Sequence, residues 1–306
     1  MLAPFYLDSN RDYRRSVFIA GCGRSGTTWA SEIVNHRREY RLVFEPFNPE
    51  YVSLCRNFRR KQYLRPDDGR DEYLGSARRI LSGGLRNTWT DRFHRKFVAR
   101  RRLIKDIRAN LLLGWMRANF PGMPIILLLR HPCAVAASKL ALSWKDNLAG
   151  VMDQDDLVED HLSPFEAEIQ AANTDFERHV FLWCIENYVP LRQLSPDDAH
   201  LIFYEELLAS PEKEIPRLFS FLGRDLDDRV YETLDRPSPM SRAGTPPEGR
   251  TPGAWRRAVG PARTKRAIEI LGLFGLDRVY GEGPMPDPEG AYAMMRDRLK
   301  KLPERG

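Results

Sequence analysis

Four cysteines, Cys22, Cys55, Cys133 and Cys184, are all that this chain of 306 residues carries, with no CxxC pair and no ligand spacing to its six scattered histidines. A zinc site draws closely spaced Cys and His ligands, so no metal is expected. Four thiols are also too few for a disulfide framework in a chain this long, which points to a reducing compartment and a cytoplasmic protein. No apolar run approaches the roughly 18 residues of a membrane span. The first 15 residues hold Asp8, Arg11, Asp12, Arg14 and Arg15, unlike a secretory leader, so neither export nor anchoring is expected. Internal repeats and low-complexity tracts are absent, and 42% hydrophobic with 29% charged residues disagrees with disorder.

What is present begins with charge. The formal balance of +6, from 48 Lys+Arg against 42 Asp+Glu, favours an anionic ligand without naming one. Nucleic acid, an anionic membrane, an acidic glycan and a phosphorylated nucleotide all fit it, as does plain solubility. The stretch 92–102, with Arg92, Arg95, Lys96, Arg100, Arg101 and Arg102, reads foremost as a solvated face, with Phe93 and Phe97 as packing residues. The order of elements is more informative. Apolar strands at 16–20, 42–44, 103–106, 125–129 and 200–204 alternate with helices at 27–38, 109–119, 132–144 and 211–222, the last capped by Ser210. Fully apolar strands between helices predict an α/β fold, a P-loop-like single domain over 1–306 whose central parallel β-sheet is flanked by helices on both faces. An insertion at about 48–100, with helices near 50–62 and 71–82, interrupts this pattern. Residues 150–160 read as acidic loop, 163–194 as helix, 236–254 as a Pro/Gly-rich loop, and 261–274 and 288–301 as closing helices.

Between the first strand and first helix lies Gly21-Cys22-Gly23-Arg24-Ser25-Gly26-Thr27-Thr28. Unpaired N–H groups and the helix dipole favour an anion there, glycines allow close approach, and Ser25, Thr27 and Thr28 add hydroxyls. A nucleoside triphosphatase loop reads GxxxxGK[ST], with lysine reaching the β- and γ-phosphates. Here Gly21 and Gly26 keep the spacing, but Thr27 takes the lysine position, and the strand at 125–129 ends in Arg130 where a magnesium-binding carboxylate is expected. A donor whose separate phosphates meet arginines and hydroxyls therefore fits better than a metal-bound triphosphate. A nucleotide kinase or P-loop phosphotransferase, and a basic nucleic-acid-binding protein, are the alternatives.

These residues resemble the sulfotransferases that use 3′-phosphoadenosine-5′-phosphosulfate (PAPS), over most of the chain from 17 to 280. Arg24 to Trp29 is similar to the family's 5′-phosphosulfate loop, Arg130-His131-Pro132 with Ser138 to its 3′-phosphate motif, and Lys105-Asp106-Ile107-Arg108, Tyr204-Glu205-Glu206-Leu207 and Phe221-Leu222-Gly223 to further landmarks. The resemblance implies sulfuryl transfer from PAPS to a hydroxyl, with PAP released and no metal. It places donor contacts on Arg24, Ser25, Gly26, Thr27, Thr28, Trp29, Arg130, Ser138 and Tyr204. Trp29 would pack against adenine; plain core packing is its other reading, and a surface ion pair is the other reading of Arg130.

The chain departs from the cytosolic branch of the family in its base. A histidine stands two residues after the lysine there; this sequence has Ile107. Glu45, in Val43-Phe44-Glu45-Pro46-Phe47, resembles instead the Glu-Pro segment of the carbohydrate sulfotransferases, as Lys105 to Arg108 resembles their Lys-x-x-Arg. Glu45 is the expected general base. Phe44, Pro46 and Phe47 would desolvate it and raise its pKa, with Lys105 or Arg24 opposing, and a structural carboxylate is the other reading. Arg24 and Lys105 are expected to steady the leaving phosphate and the transferring group. Of the cytosolic branch's Arg-Lys-Gly loop only the ending Gly253-Ala254-Trp255 fits, leaving Arg250, Arg256 or Arg257 for the 3′-phosphate. The partner is a hydroxyl-bearing small molecule or carbohydrate acceptor, not nucleic acid.

Overall fold

The computed structural model describes residues 7–94, 98–234 and 251–297. Five strands carry the architecture: β1 Ser16–Gly21, β2 Arg41–Phe44, β3 Arg102–Asp106, β4 Ile125–Leu129 and β5 Ala199–Phe203. They pair in parallel in the order β2-β3-β1-β4-β5. β1, β3 and β4 are buried along their whole length; β1 and β4 are accordingly apolar at nearly every position, whereas β3 is apolar only at Leu103 and Ile104, between the buried charges of Arg102 and Lys105-Asp106.

Side chains leave β1 on alternate faces. Phe18 and Ala20 join a core with Ile104, Leu127 and Trp183, whereas Val17 and Ile19 join another with Leu103, Ile126 and Ile33. Helices cover both faces, giving the expected α/β fold. On the second face lies α1 Thr27–Val34. The first face receives α2 Asp71–Leu81, α3 Leu113–Asn119, α4 Pro132–Ala141 and the long α5 Asp175–Gln193, opened by a Thr174–Glu177 capping box. The second face is completed by α6 Pro211–Phe221, and α7 Pro261–Leu273 and α8 Pro288–Asp297 close the first. No described helix is long and apolar enough to cross a membrane.

Several expectations change. The first helix stops at Val34 instead of 38, because Asn35 binds both backbone groups of Tyr40 and folds the chain toward β2. The segment 48–100 is not simply polar and irregular: Val52, Cys55, Phe58, Tyr63, Ala77 and Ile80 enter the sheet's core. A single 3-10 turn, Ser53–Cys55, stands where a helix near 50–62 was expected. Residues 150–160 are mostly short helical turns instead of loop, and helix is broken between Gln170 and Asp175. Ser210 occupies the α6 cap position without a side-chain capping bond. Arg102 is not a solvated residue. It is fully buried with Arg41, and both guanidiniums bind Asp8, at 2.8 and 3.2 Å, while Arg41 also binds Asp91. Arg95, Lys96, Phe97, Arg250 and most of the 236–254 loop lie outside the described residues.

Candidate active site

β1 is the middle strand, with β3 and β4 on its two sides, so the chain crosses it in passing from β3 to β4. Loops at the carboxyl ends of strands beside such a switch form the crevice of open α/β sheets. Those ends here carry Gly21, Glu45, Asp106, Arg130 and Tyr204.

After Gly21 the chain turns tightly into α1. Arg24 at φ +77° and Gly26 at φ +103° flank Ser25, a left-handed turn that gathers successive N–H groups into a concavity suited to an anion. The helix ladder begins with Ala30 N–H to the Gly26 carbonyl, so the N–H groups of Thr27, Thr28 and Trp29 point out of the helix end. Ser25 was expected to offer its hydroxyl to an anion. Instead it is fully buried, and its Oγ–H and N–H both donate to the Cys22 carbonyl, at 2.6 and 3.0 Å, closing the loop. Cys22 itself is buried, and burial pushes its thiol up to about 12. A Cβ on Gly26 would come within 2.6 Å of the Tyr204 ring. Gly26→Ala is accordingly expected to destabilise the fold by about 1 to 2 kcal/mol from backbone strain, plus the ring displacement, read as a lowered thermal midpoint.

The second corner lies at the start of α4. Arg130 donates to the Arg24 carbonyl at 2.9 Å and its guanidinium lies 4.3 Å over the Tyr204 ring. Arg24 Nε donates in turn to Ser138 Oγ at 3.0 Å. Loop, Arg130 and Ser138 are therefore one connected unit. Arg130 and Ser138 do not touch each other; Arg24 stands between them, its carbonyl on Arg130 and its Nε on Ser138. Arg130 makes no ion pair with a described carboxylate, and its Nε is buried without a hydrogen-bond partner. Burial, and then the neighbouring Arg130, lower the Arg24 pKa. Trp29 is only 4% exposed and joins the core of the second face, so it offers no open ring to a ligand; half-buried Tyr204, edge-on at 5.4 Å, is the aromatic group of this corner that reaches solvent.

The corner is held from behind by a residue that the sequence placed in a landmark segment without giving it a role. Glu205 accepts the His131 N–H at 2.8 Å and the Tyr280 hydroxyl at 3.0 Å. Burial raises its pKa, and the backbone bond from His131 opposes that rise. His131 stacks on Trp255 at 4.1 Å and donates Nε2–H to the Gly281 carbonyl. Arg256 bonds the Glu282 carbonyl.

Glu45 lies at the end of β2 with φ +44°, a left-handed position that is strained for glutamate. It is 5% exposed and ion-paired twice: Oε1 with Lys105 and Oε2 with Arg108, each at 2.6 Å. Burial presses its pKa upward, but the two cations outweigh burial and hold the carboxyl below its ordinary range. The expected rise is thus reversed by Lys105 and Arg108 together, Lys105 foremost. Burial lowers the Lys105 pKa, which Glu45 only partly offsets. β3, the neighbour of β1 on the other side from β4, ends in a carboxylate, Asp106, in register with Ala20, so Arg130 at the end of β4 does not by itself mean that the strand ends beside the loop lack an acid. The two oxygens of Asp106 accept backbone N–H groups of Phe47 and Arg108, and burial raises its pKa to about 6.

Between these groups a cleft of ≈ 340 Å³ opens at Gly23, with Ile107, Arg108, Lys139 and Trp144 on its wall. Sequence reasoning missed Lys139 and Trp144, although Lys139 adjoins Ser138.

Residues 16–228 match the model of a family described as "Sulfotransferase family". A nodulation protein, NoeE, of Sinorhizobium fredii is 25% identical over 311 residues, covering 94% of this chain and 70% of that protein. A mouse sulfotransferase solved in complex with PAP is 13% identical, with a TM-score of 0.48 over 96% of this chain and 92% of its own. A retinol dehydratase solved with androsterone and PAP is 18% identical, with a TM-score of 0.46 over 90% of this chain and 83% of its own.

Proposed function

This chain belongs to the sulfotransferase family, and on that premise we propose that it moves a sulfuryl group from PAPS to the hydroxyl of a carbohydrate or other small molecule, releasing PAP. The linked corner of loop, Arg24, Ser138 and Arg130 carries this reading. It ties the loop to Ser138 through the Arg24 guanidinium and to Arg130 through the Arg24 carbonyl, which suits a donor with separate 5′- and 3′-phosphates. The N–H groups at the start of α1, with Gly26, Thr27 and Thr28, receive the 5′-phosphosulfate. Arg130 and Ser138 receive the 3′-phosphate, and Tyr204, backed by Trp29, takes the adenine. Ser25 shapes the loop.

Glu45 is the general base in this reading. The acceptor oxygen attacks sulfur in line, the bond from sulfur to the bridging oxygen breaks with its electron pair passing to the leaving phosphate, and the hydroxyl proton passes to Glu45. Lys105 and Arg108 have a double role. In the resting site they keep Glu45 ionised, and they turn toward the donor's negative oxygens when these arrive, together with Arg24. The Glu45-Pro46 and Lys105-x-x-Arg108 pattern favours a carbohydrate acceptor. A cytoplasmic location fits the four buried free thiols.

The test is a calorimetric titration with PAP, with and without magnesium. Binding is expected, unchanged by the metal, since Thr27 stands for the triphosphatase lysine and Asp106 is held by backbone N–H groups. No binding of PAP, or preference for ATP that depends on magnesium, would overturn the proposal in favour of a phosphotransferase.

A further inference from the structure

We propose that the acceptor carries an oxyanion, a carboxylate, phosphate or sulfate, beside the hydroxyl that is modified, and that Lys139 with Lys61 grips it; this rests on the sulfuryl-transfer reading above. The cleft at Gly23 presents Arg60, Lys61, Arg108, Lys139 and Lys145, and not one carboxylate lines it. Of the acids that reach these cations, Glu45 and Glu186 are buried behind the wall and Glu50 is exposed. Glu45 serves Arg108 together with Lys105, Glu186 lies between Lys61 and Lys139, and Glu50 is 3.6 Å from Arg60. With Asp106, whose charge acts on Lys105 and Arg108, six cations meet four carboxylates, an excess of two positive charges. In a recess with low-dielectric walls such an excess concentrates potential on a small anion.

Lys139 is the most telling member. It is 4% exposed, and its Nζ lies 4.0 Å from Glu186 Oε2, beyond hydrogen-bonding reach. No described residue accepts a hydrogen bond from it, and Glu186 Oε2 receives none. An ammonium has three donors, and this one keeps contact with solvent at the cleft wall, where its donors are open to a ligand. On the cleft wall, a ligand oxygen supplies what the protein does not. The donor corner makes no claim on this group: Ser138 turns to Arg24, whereas Lys139, the next residue, turns to Glu186 on α5.

The rim adds a flat apolar surface. Trp144 is 39% exposed and lies over the loop, such that a Cβ on Gly23 would come within 2.8 Å of its ring. His179 Nε2–H, donated to the Trp144 carbonyl at 3.1 Å, fixes that rim. With Ile107 and Leu182 on the wall, the cleft suits a ring that bears both a hydroxyl and a negative group.

Saturating the protein with PAP fills the donor corner and leaves the cleft to be probed. Into that complex, glucose 6-phosphate, glucuronate and methyl glucoside are titrated by calorimetry. The two anions are expected to bind at least about tenfold more tightly than the neutral glycoside, and Lys139→Met to weaken them about tenfold or more with PAP affinity intact. Because Lys139→Met disturbs a buried pair, Lys145→Ala at the exposed rim serves as a second variant, with an expected loss of about two- to threefold that shrinks in high salt. Stronger binding of glucose 6-phosphate identifies a phosphorylated acceptor, and stronger binding of glucuronate a carboxylated one. Equal binding of the three sugars, no anion binding to the PAP complex, or loss of PAP affinity in Lys139→Met each overturns the anionic acceptor while sulfuryl transfer stands. Failure of the unaltered protein to bind PAP removes both.

Discussion

Glu45→Gln is expected to lower turnover by about 10²- to 10⁴-fold while PAP still binds, the range over which a positioned base contributes to proton transfer. The amide keeps the shape of the side chain but cannot take the acceptor proton, and it leaves Lys105 and Arg108 without their shared counter-charge. PAP affinity is therefore expected to hold or rise, since two cations are released toward the donor. The pH profile separates this role from a structural one. With the Glu45 pKa held down, the carboxylate is ionised throughout the neutral range. Activity that depends on it should fall only as pH drops below the ordinary glutamate range of about 4.3, and stability contributed by the ion pairs is lost in the same direction. Full turnover in Glu45→Gln, with PAP binding retained, would assign Glu45 to structure alone.

Arg130→Ala is the second large effect. PAP affinity should weaken by about 1.5 to 3 kcal/mol, roughly 10- to 150-fold, the range for hydrogen bonds to a charged group. The guanidinium reaches the Arg24 carbonyl and the Tyr204 ring, so its loss also loosens the loop and uncovers an aromatic face. Arg130→Lys separates these effects. A lysine keeps the charge without the planar fork, and it should recover only part of the affinity. Unchanged affinity in Arg130→Ala would remove the residue from the donor site.

The strands and the loop were legible because each is written in consecutive residues. A fully apolar run followed by glycines and a helix start has few other meanings. Arg130 and Ser138 were legible for the same reason, eight residues apart in one strand-helix unit. The rest depended on which distant side chains meet. The sequence offered Lys105 or Arg24 as the cation beside Glu45, but not the joint claim of Lys105 and Arg108 on its two oxygens, which reverses the expected pKa shift. Trp29 has the same residue type whether it faces a base or a core, and only its burial separates the two. Glu186 is 125 residues from Lys61, so no local pattern announces the cleft's cations. Ser25 was assigned a hydroxyl donor by type, and the tight turn spends that donor on the loop itself.

The carboxyl group of Glu205 gathers three remote parts of the chain, accepting from His131, 74 positions away, and from Tyr280, 75 positions away, while His131 reaches Gly281 across 150 positions. Closing contacts of that span costs more chain entropy than forming local turns, and the cost is met late in folding. The anion corner is thus a property of the completed chain and not of its first strand and helix. Ligand energy delivered there is shared by every segment the corner ties together: a donor analogue at 100 times its Kd would raise the unfolding free energy of the whole cooperative unit by about 2.7 kcal/mol.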